Sequence, residues 1–553
     1  MERDLSILEY NELSGGVKLS SNPFSLQINE SPYMINADLS SKGIFARNGY
    51  KNVYNLPEWF NIVACFDYYY KNELSWIAIS YPYVIKINPR NYSWKIIHRK
   101  WFSTGKPEAD QSPTTIMLVD GVNKPIQITG ETVVELTWPQ TLLNPNNEAG
   151  ASGDIGNIQQ SIFNVRTEQQ PDDFGMPNHV LYVNNRFQVT ETVYKNVIIY
   201  SRWDDFTDFA TNNPADYDIA FFIELPTPYA VTGWSRLNNE IVVIYLTNGY
   251  IIQSGQQPPG IGYPEPLLSW QVRDTINGCL NSNLIQKNSE GDNFYITSRN
   301  RLFNLGSSQN FNQAQTDGLS EDIYPLLENF SADQWEKATM INNHTTGELL
   351  IFAPIDEHEG YATHCFVYKY SSEQKGWTVE TLWGDGFRFT TAHLNLETGK
   401  VIIFNQGNRV LEHGKGNDFD GEPVYTIAEL RPEDFGNAAE MHEVIAVFFI
   451  VSTDTDNRFV YRYRWDTNEE GYAEITTDKQ INIEDLKDLT EIENNIITDV
   501  GTNFKVVGIT IKNNTGQVLK QRIETNREQS LEINKMVLVY KKHGVAPVNK
   551  KSG

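Results

Sequence analysis

Acid–base hydrolysis requires two carboxyl groups held about 5 to 10 Å apart in a cleft, and this chain offers two close pairs, Asp204 with Asp205 and Glu357 with Glu359. Both occupy turn-like sequence, where neighbouring side chains point apart and short acidic groups commonly accept backbone N–H bonds. They read as solvated turn carboxylates. The densest set of metal-ligand types is Asp356, Glu357, His358, Glu359, His364 and Cys365. It lacks the His-Glu-x-x-His spacing that puts two imidazoles on one helical face, and it falls between two strand-like runs, so it reads as a charged hairpin tip. Gly414 to Glu422, GKGNDFDGE, carries Asp418 and Asp420 ahead of Gly421. A calcium loop would need an acidic residue at its start and a bidentate Glu at its end, so this stretch reads as a turn at a domain boundary. No Gly-x-Ser-x-Gly elbow, Walker loop or Cys-x-x-Cys pair occurs. The expectation is no catalytic site, no metal and no cofactor.

The elements that would carry these residues are strands. Aromatic residues make up 12% of the chain, with 37 Gly and 24 Pro, and sustained helical periodicity is hard to find. At 553 residues the chain exceeds one ordinary core, at roughly 100–200 residues per domain, although the blades of a propeller form one radial unit and relax that limit. The formal net charge of −25 repels nucleic acid and anionic membrane over long range. Affinity for DNA is therefore not expected. The opening MERDLSILEYNEL has no basic region followed by an apolar core, and no window approaches the ~18 apolar residues of a membrane span. A soluble protein made in the cytosol, without membrane insertion, is the expectation. Cys65, Cys279 and Cys365 lie far apart and cannot all pair within one chain, so buried free thiols are expected.

Pro177 to Phe209 contains two apolar, aromatic-rich runs, His179 to Val183 and Val197 to Tyr200, around an Asn184-Asn185-Arg186 corner, followed by a turn at Trp203 to Phe206. That is the order of parts in one blade of a β-propeller. Short strands with turn signals every eight to twelve residues recur at residues 62–98, 115–136, 230–255, 293–305, 349–380 and 388–413. The reading is mainly β, a propeller of about six blades over residues 61–420. Residues 138–176, rich in Gly, Gln and Asn-Pro, break the rhythm and read as a projecting insertion. Residues 1–60 read as an entry segment and 421–540 as a C-terminal β-sandwich. A short amphipathic helix is expected at 483–492, where Ile483, Leu486, Leu489 and Ile492 recur at three-residue spacing. The last stretch, 541–553, is a basic tail with Lys541, Lys542, His543, Lys550 and Lys551, expected to be solvated and mobile. Trp76, Trp94 and Trp377 lie in or beside strands, where aromatic rings fill the wedge between blades.

The entry string Ser-Pro-Tyr-Met-Ile-Asn-Ala-Asp (31–38), then Gly-Ile-Phe-Ala-Arg-Asn-Gly-Tyr (43–50), resembles the opening of the propeller proteins of short-tailed bacteriophages. The Asn184-Asn185-Arg186 and Tyr200-Ser201 blade, the Leu237 to Gly255 blade and the Gly376-Trp377-Thr378 strand extend that resemblance to tail nozzle or tail hub proteins. The resemblance implies a structural virion protein. It would form a homo-oligomeric ring, commonly a hexamer, contacting other tail or neck rings and adhesins, assembled in the host cytoplasm, with DNA only as passing cargo. An acidic lumen suits that role, since carboxylates repel phosphates where a Lys/Arg wall would hold them. Glu484, Asp485, Asp488 and Glu491, gathered on the expected helix, are the candidate channel-lining residues. A carbohydrate-binding propeller adhesin of the tail is the alternative, because exposed Tyr and Trp at loop tips can stack on sugar rings. An intracellular scaffold propeller is a third class, without a repeat signature to support it.

Overall fold

Each strand-turn-strand run folds into a four-stranded antiparallel meander. The computed structural model describes residues 5–545, apart from 139–174, 210–220, 256–267, 306–315, 478–503 and stretches of one to five residues elsewhere. Six blades each come from one stretch of chain, at residues 64–99, 108–135, 177–224, 231–274, 285–318 and 339–381. A closing blade combines Phe389–Asn395, Lys400–Asn405 and Arg409–His413 with an outermost strand from near the N-terminus, Tyr50–Asn55. The first strand of every blade lies beside those of its two neighbours, and Phe389–Asn395 touches both Thr339–Asn343 and Ala64–Tyr70. The ring is therefore shut, and the open edge of each first strand faces the central channel. Central strands such as Ile116–Val119 and Val197–Tyr200 are buried at every position, because adjoining blades cover both of their faces. That is why they read as apolar runs and not as alternations.

Local turn chemistry sets the corners. Asn184 and Asn185 both have positive φ, 51° and 57°, the paired left-handed geometry of a tight hairpin for which Asn is suited. The following Arg186 is buried, donates from Nη1 to the Ser201 carbonyl at 2.6 Å, and lies over the Trp203 ring. Phe206 packs edge-on against Tyr182 and Phe187. The corner and the turn after the third strand thus lock one blade. Connections between second and third strands share a face with the blade-to-blade connectors, as the backbone bonds Trp101 to Pro82, Gly121 to Pro177 and Thr247 to Ala230 record.

The rest of the chain forms a two-layered β-sandwich. Glu440–Thr453 and Leu531–Val545 pair along their length, flanked by Lys505–Thr510 on one side and by Leu5–Tyr10 and Ile44–Ala46 on the other. The facing sheet holds Tyr425–Glu433, Leu519–Asn526, Arg458–Trp465 and Gly471–Thr476. Phe449 from the first layer meets Phe459 and Tyr461 of the second at 5.0 and 5.4 Å between ring centroids. The helix expected at 483–492 lies outside the described residues, as does nearly all of the 138–176 insertion.

Residues 1–60 do not stand apart as an entry unit, because their short strands each find a free edge to pair with. Tyr33–Ile35 runs parallel to Gly376–Thr381 of the sixth blade and antiparallel to Tyr425–Glu433 of the sandwich. Blade and sandwich layer become one nine-stranded sheet. The basic tail also begins later than its charge suggests: Lys541 and Lys542 belong to the last strand, with Lys541 opposite Leu5 and Glu443. Strand pairing overrides the local charge there.

Candidate functional site

Two constellations stand out, one at the junction of propeller and sandwich and one in the central channel. The junction is built from the entry string. Gly49 runs so close to Asp418 that an added Cβ would lie 1.7 Å from its carbonyl oxygen; only Gly fits. This approach turns the chain so that Arg47 and Tyr50 both point inward, each 3% exposed or less. The Arg47 guanidinium meets Glu380 at 2.8 Å, donates to Tyr50 Oη at 3.0 Å and lies 4.9 Å from the centroids of Tyr50 and Phe419. Glu380 also meets His413 Nε2 at 2.9 Å. Burial alone would push the Glu380 carboxyl up, but Arg47 and His413 together hold it below its usual value. The site is a clasp: every charge has a partner inside the protein.

The channel is lined by the first strands of the blades and encloses about 1040 Å³, the size of a small-molecule pocket and not of a duplex conduit. Polar side-chain pairs stitch blades across its wall. Asp67 of the first blade meets His393 of the closing blade at 3.0 Å, and Glu108 of the second meets His179 of the third at 2.6 Å. Asp110 pairs with Arg236 of the fourth blade and accepts from the Tyr182 amide at 2.6 Å. Burial pushes the Asp110 carboxyl up, opposed by Arg236 and by the Tyr182 and Gln111 amides. Lys106, just ahead of the second blade, differs from these: its Nζ is buried and, among the described residues, has no hydrogen-bond partner.

The sequence candidates fall elsewhere. Asp205 accepts from Thr207 N at 3.1 Å and Thr207 Oγ1 at 2.8 Å, a turn role; Asp204, Asp356, Glu357, His358 and Glu359 lie outside the described residues. His364 and Cys365 sit in the third strand of the sixth blade, with Cys365 fully buried. Asp418 starts a two-residue strand, and Asp420 pairs with Arg409. Among the described residues no group of three or more His, Cys, Asp or Glu is placed to hold a metal ion. Glu484, Asp485, Asp488 and Glu491 lie outside the described residues. Trp76 and Trp377 are buried at 0% and 1%, Trp94 is half-buried, and Cys65, Cys279 and Cys365 are buried free thiols. No described helix is long and apolar enough to cross a membrane. In the sequence Arg47-Asn48-Gly49-Tyr50 gives no local sign of the clasp, and Lys106 lies in an ordinary Gly-Lys-Pro turn.

No protein-family model and no curated protein matches the chain. Among solved structures, the chain is similar to one titled as the mitotic checkpoint complex, at 7% identity and a TM-score of 0.36, over 71% of this chain and 95% of that one. It is also similar to YCF48 bound to D1 peptide, at 10% identity and a TM-score of 0.37, covering 66% and 95% respectively. YCF48 from Cyanidioschyzon merolae gives 9% identity and a TM-score of 0.35, covering 66% and 98%. The class is a mainly-β propeller with an appended sandwich, as its strand pairing defines.

Proposed function

We propose that the chain is a structural subunit of a short phage tail, a nozzle or hub ring through which DNA leaves. The observation that carries this reading is the nine-stranded sheet in which Tyr33–Ile35 joins the sixth blade to the sandwich. The residues that resemble the phage proteins are those that weld the two parts, giving a rigid piece suited to bearing load in a ring. The enclosed channel of a single propeller is too small for a duplex, so DNA would pass between copies, with the acidic surplus of −25 per chain opposing its retention. The reading implies a homo-oligomeric ring, a hexamer in the proteins it resembles, docked on neighbouring tail or neck rings in the virion. Mass photometry of the purified protein and reconstruction of intact virions test it. A closed ring around the DNA path is the expected result; isolated monomers in both would sink the reading. Reversing Glu484, Asp485, Asp488 and Glu491 to Lys should then slow DNA exit at low salt, with the delay shrinking as salt rises.

A second reading, a carbohydrate-binding adhesin of the tail, is favoured by one surface feature. Trp59 is 53% exposed, with its ring 5.2 Å from Tyr83 and 6.1 Å from Trp94, a platform on which a sugar ring could stack. Quenching of tryptophan fluorescence by host surface polysaccharide, abolished in Trp59→Ala, would move this reading to first place.

A further inference from the structure

We propose that the mouth of the central channel binds a small anionic ligand, a carboxylate or a phosphate ester, whose oxygens pair with the Lys106 ammonium. The inference concerns one propeller and stands whether or not copies assemble into a ring.

Four features carry it. The Lys106 side chain lines the 1040 Å³ cavity, yet its Nζ is buried and, among the described residues, finds no acceptor to donate to. A buried ammonium without a partner is costly, which is why buried charges in proteins are paired. The other Lys lining this cavity, Lys337, already has a countercharge in Asp333 at 2.7 Å, and Arg236 nearby has Asp110. The turn holding Lys106 is anchored, since Tyr81 Oη donates to the Gly105 carbonyl at 2.9 Å and Pro107 is buried. The amine is thus presented by the anchored turn Gly105-Lys106-Pro107 and does not trail from a surface.

The facing groups set the ligand's character. Across the mouth, the helix Ala332–Lys337 brings Asp333, Glu336 and Lys337. Of these Glu336 is the one whose charge is felt by Lys106, but it stays exposed and makes no ion pair with it. In the strand that follows Lys106, Glu108 and Asp110 are committed to His179 and Arg236 respectively. Burial pulls the Lys106 amine down to about 8, with Glu336 opposing, so near neutral pH it takes up or keeps its proton as an anion arrives. Amide side chains of Asn283, Gln286 and Asn342 line the same space and can hydrogen-bond the uncharged part of such a ligand. A carboxylate and a phosphate share the chemistry the amine reads: compact negative oxygens.

The test measures how fast acetic anhydride labels Lys106 in the intact protein, read by peptide mass spectrometry, in chloride, acetate or inorganic phosphate at matched ionic strength. Thermal unfolding is followed in parallel for wild type and Lys106→Met. The expected result is slowing of Lys106 labelling, about tenfold when the anion exceeds its Kd about tenfold. An anion-dependent rise in Tm should accompany it, be absent in Lys106→Met, and shrink as pH passes above 8. The comparison with Lys106→Met removes the general stabilisation that phosphate gives any protein. Protection by phosphate alone assigns a phosphate ester, by acetate alone a carboxylate, and by both the shared chemistry. Equal labelling in all three salts overturns the proposal. So does a Lys106 reactivity that is insensitive to anions in wild type and changes only in Glu336→Gln, because the amine would then already be paired with Glu336 in solution.

Discussion

The guanidinium of Arg47 meets the carboxylate of Glu380 at 2.8 Å where the two side chains are only 4% and 6% exposed. One comes from the entry segment and the other from the sixth blade, so the pair fastens the N-terminal strands to the propeller. Removing one partner leaves the other charged and buried, a loss of about 3–5 kcal/mol. Arg47→Met should lower the unfolding free energy, read from urea titration, by that order. Glu380→Gln in the same background should restore part of it, because the orphan charge is gone. A double-mutant cycle measures this, and additive losses would show that the pair is not coupled.

Gly49 is predicted to tolerate no side chain. A Cβ would sit 1.7 Å from the Asp418 oxygen and 2.4 Å from its carbonyl carbon, and both are backbone atoms that cannot swing aside. Gly49→Ala should cost about 1–3 kcal/mol or more through forced backbone displacement. Gly414, whose added Cβ would meet nothing within 4 Å but whose φ is +74°, serves as the contrast, since its Ala variant is strained by conformation alone. Calorimetry of the two should separate sterics from φ.

Asn36 tests the seam between blade and sandwich. Its Nδ2 donates to Thr381 Oγ1 at 2.9 Å and to the Tyr425 carbonyl at 2.8 Å, while its Oδ1 accepts from Thr381 N at 2.9 Å. Its φ of 57° is left-handed. Asn36→Gly keeps the backbone and loses the bonds; Asn36→Ala loses both, and should be the less stable by about 1–2 kcal/mol. Equal stability would mean that the seam relaxes around the backbone.

Acid should loosen the sixth blade. Burial pulls the His364 imidazole from 6.5 down to about 4. The unfolded chain therefore binds a proton near pH 6.5 that the folded chain refuses until near 4. This contribution is fully present above pH 6.5 and is lost as pH falls toward 4, on the order of 2–3 kcal/mol in all. His442 in the sandwich, held below its usual value by burial, adds in the same direction. Unfolding midpoints between pH 7 and 4.5 should fall, less steeply in His364→Gln; parallel curves would count against burial as the cause.

The propeller was legible because its signals are local. Asn184-Asn185, Asp120-Gly121 and Asn248-Gly249 announce turns whatever surrounds them, and doubly covered strands advertise themselves as apolar runs. The outermost strand of the closing blade and the joined sheet were not legible, since Tyr50–Asn55 pairs with Arg409–His413 and Tyr33–Ile35 with Gly376–Thr381, partners remote in sequence. Glu380 reads as one more polar position in a strand, and Lys106 as a turn residue. Enclosure, which gives both their character, is a property of the assembled ring.

The borrowed outer strand of the closing blade also sets a clock on synthesis. Tyr50–Asn55 leaves the ribosome early, yet its partner Arg409–His413 follows roughly 350 residues later, an interval on the order of half a minute at about 5–20 residues per second. Until then the growing chain carries an unclosed ring with two waiting strand edges, each a template for a wrong neighbour. Any slowing of translation before residue 413 lengthens that exposure, so yield in the producing cell depends on elongation speed as well as on the stability of the finished fold.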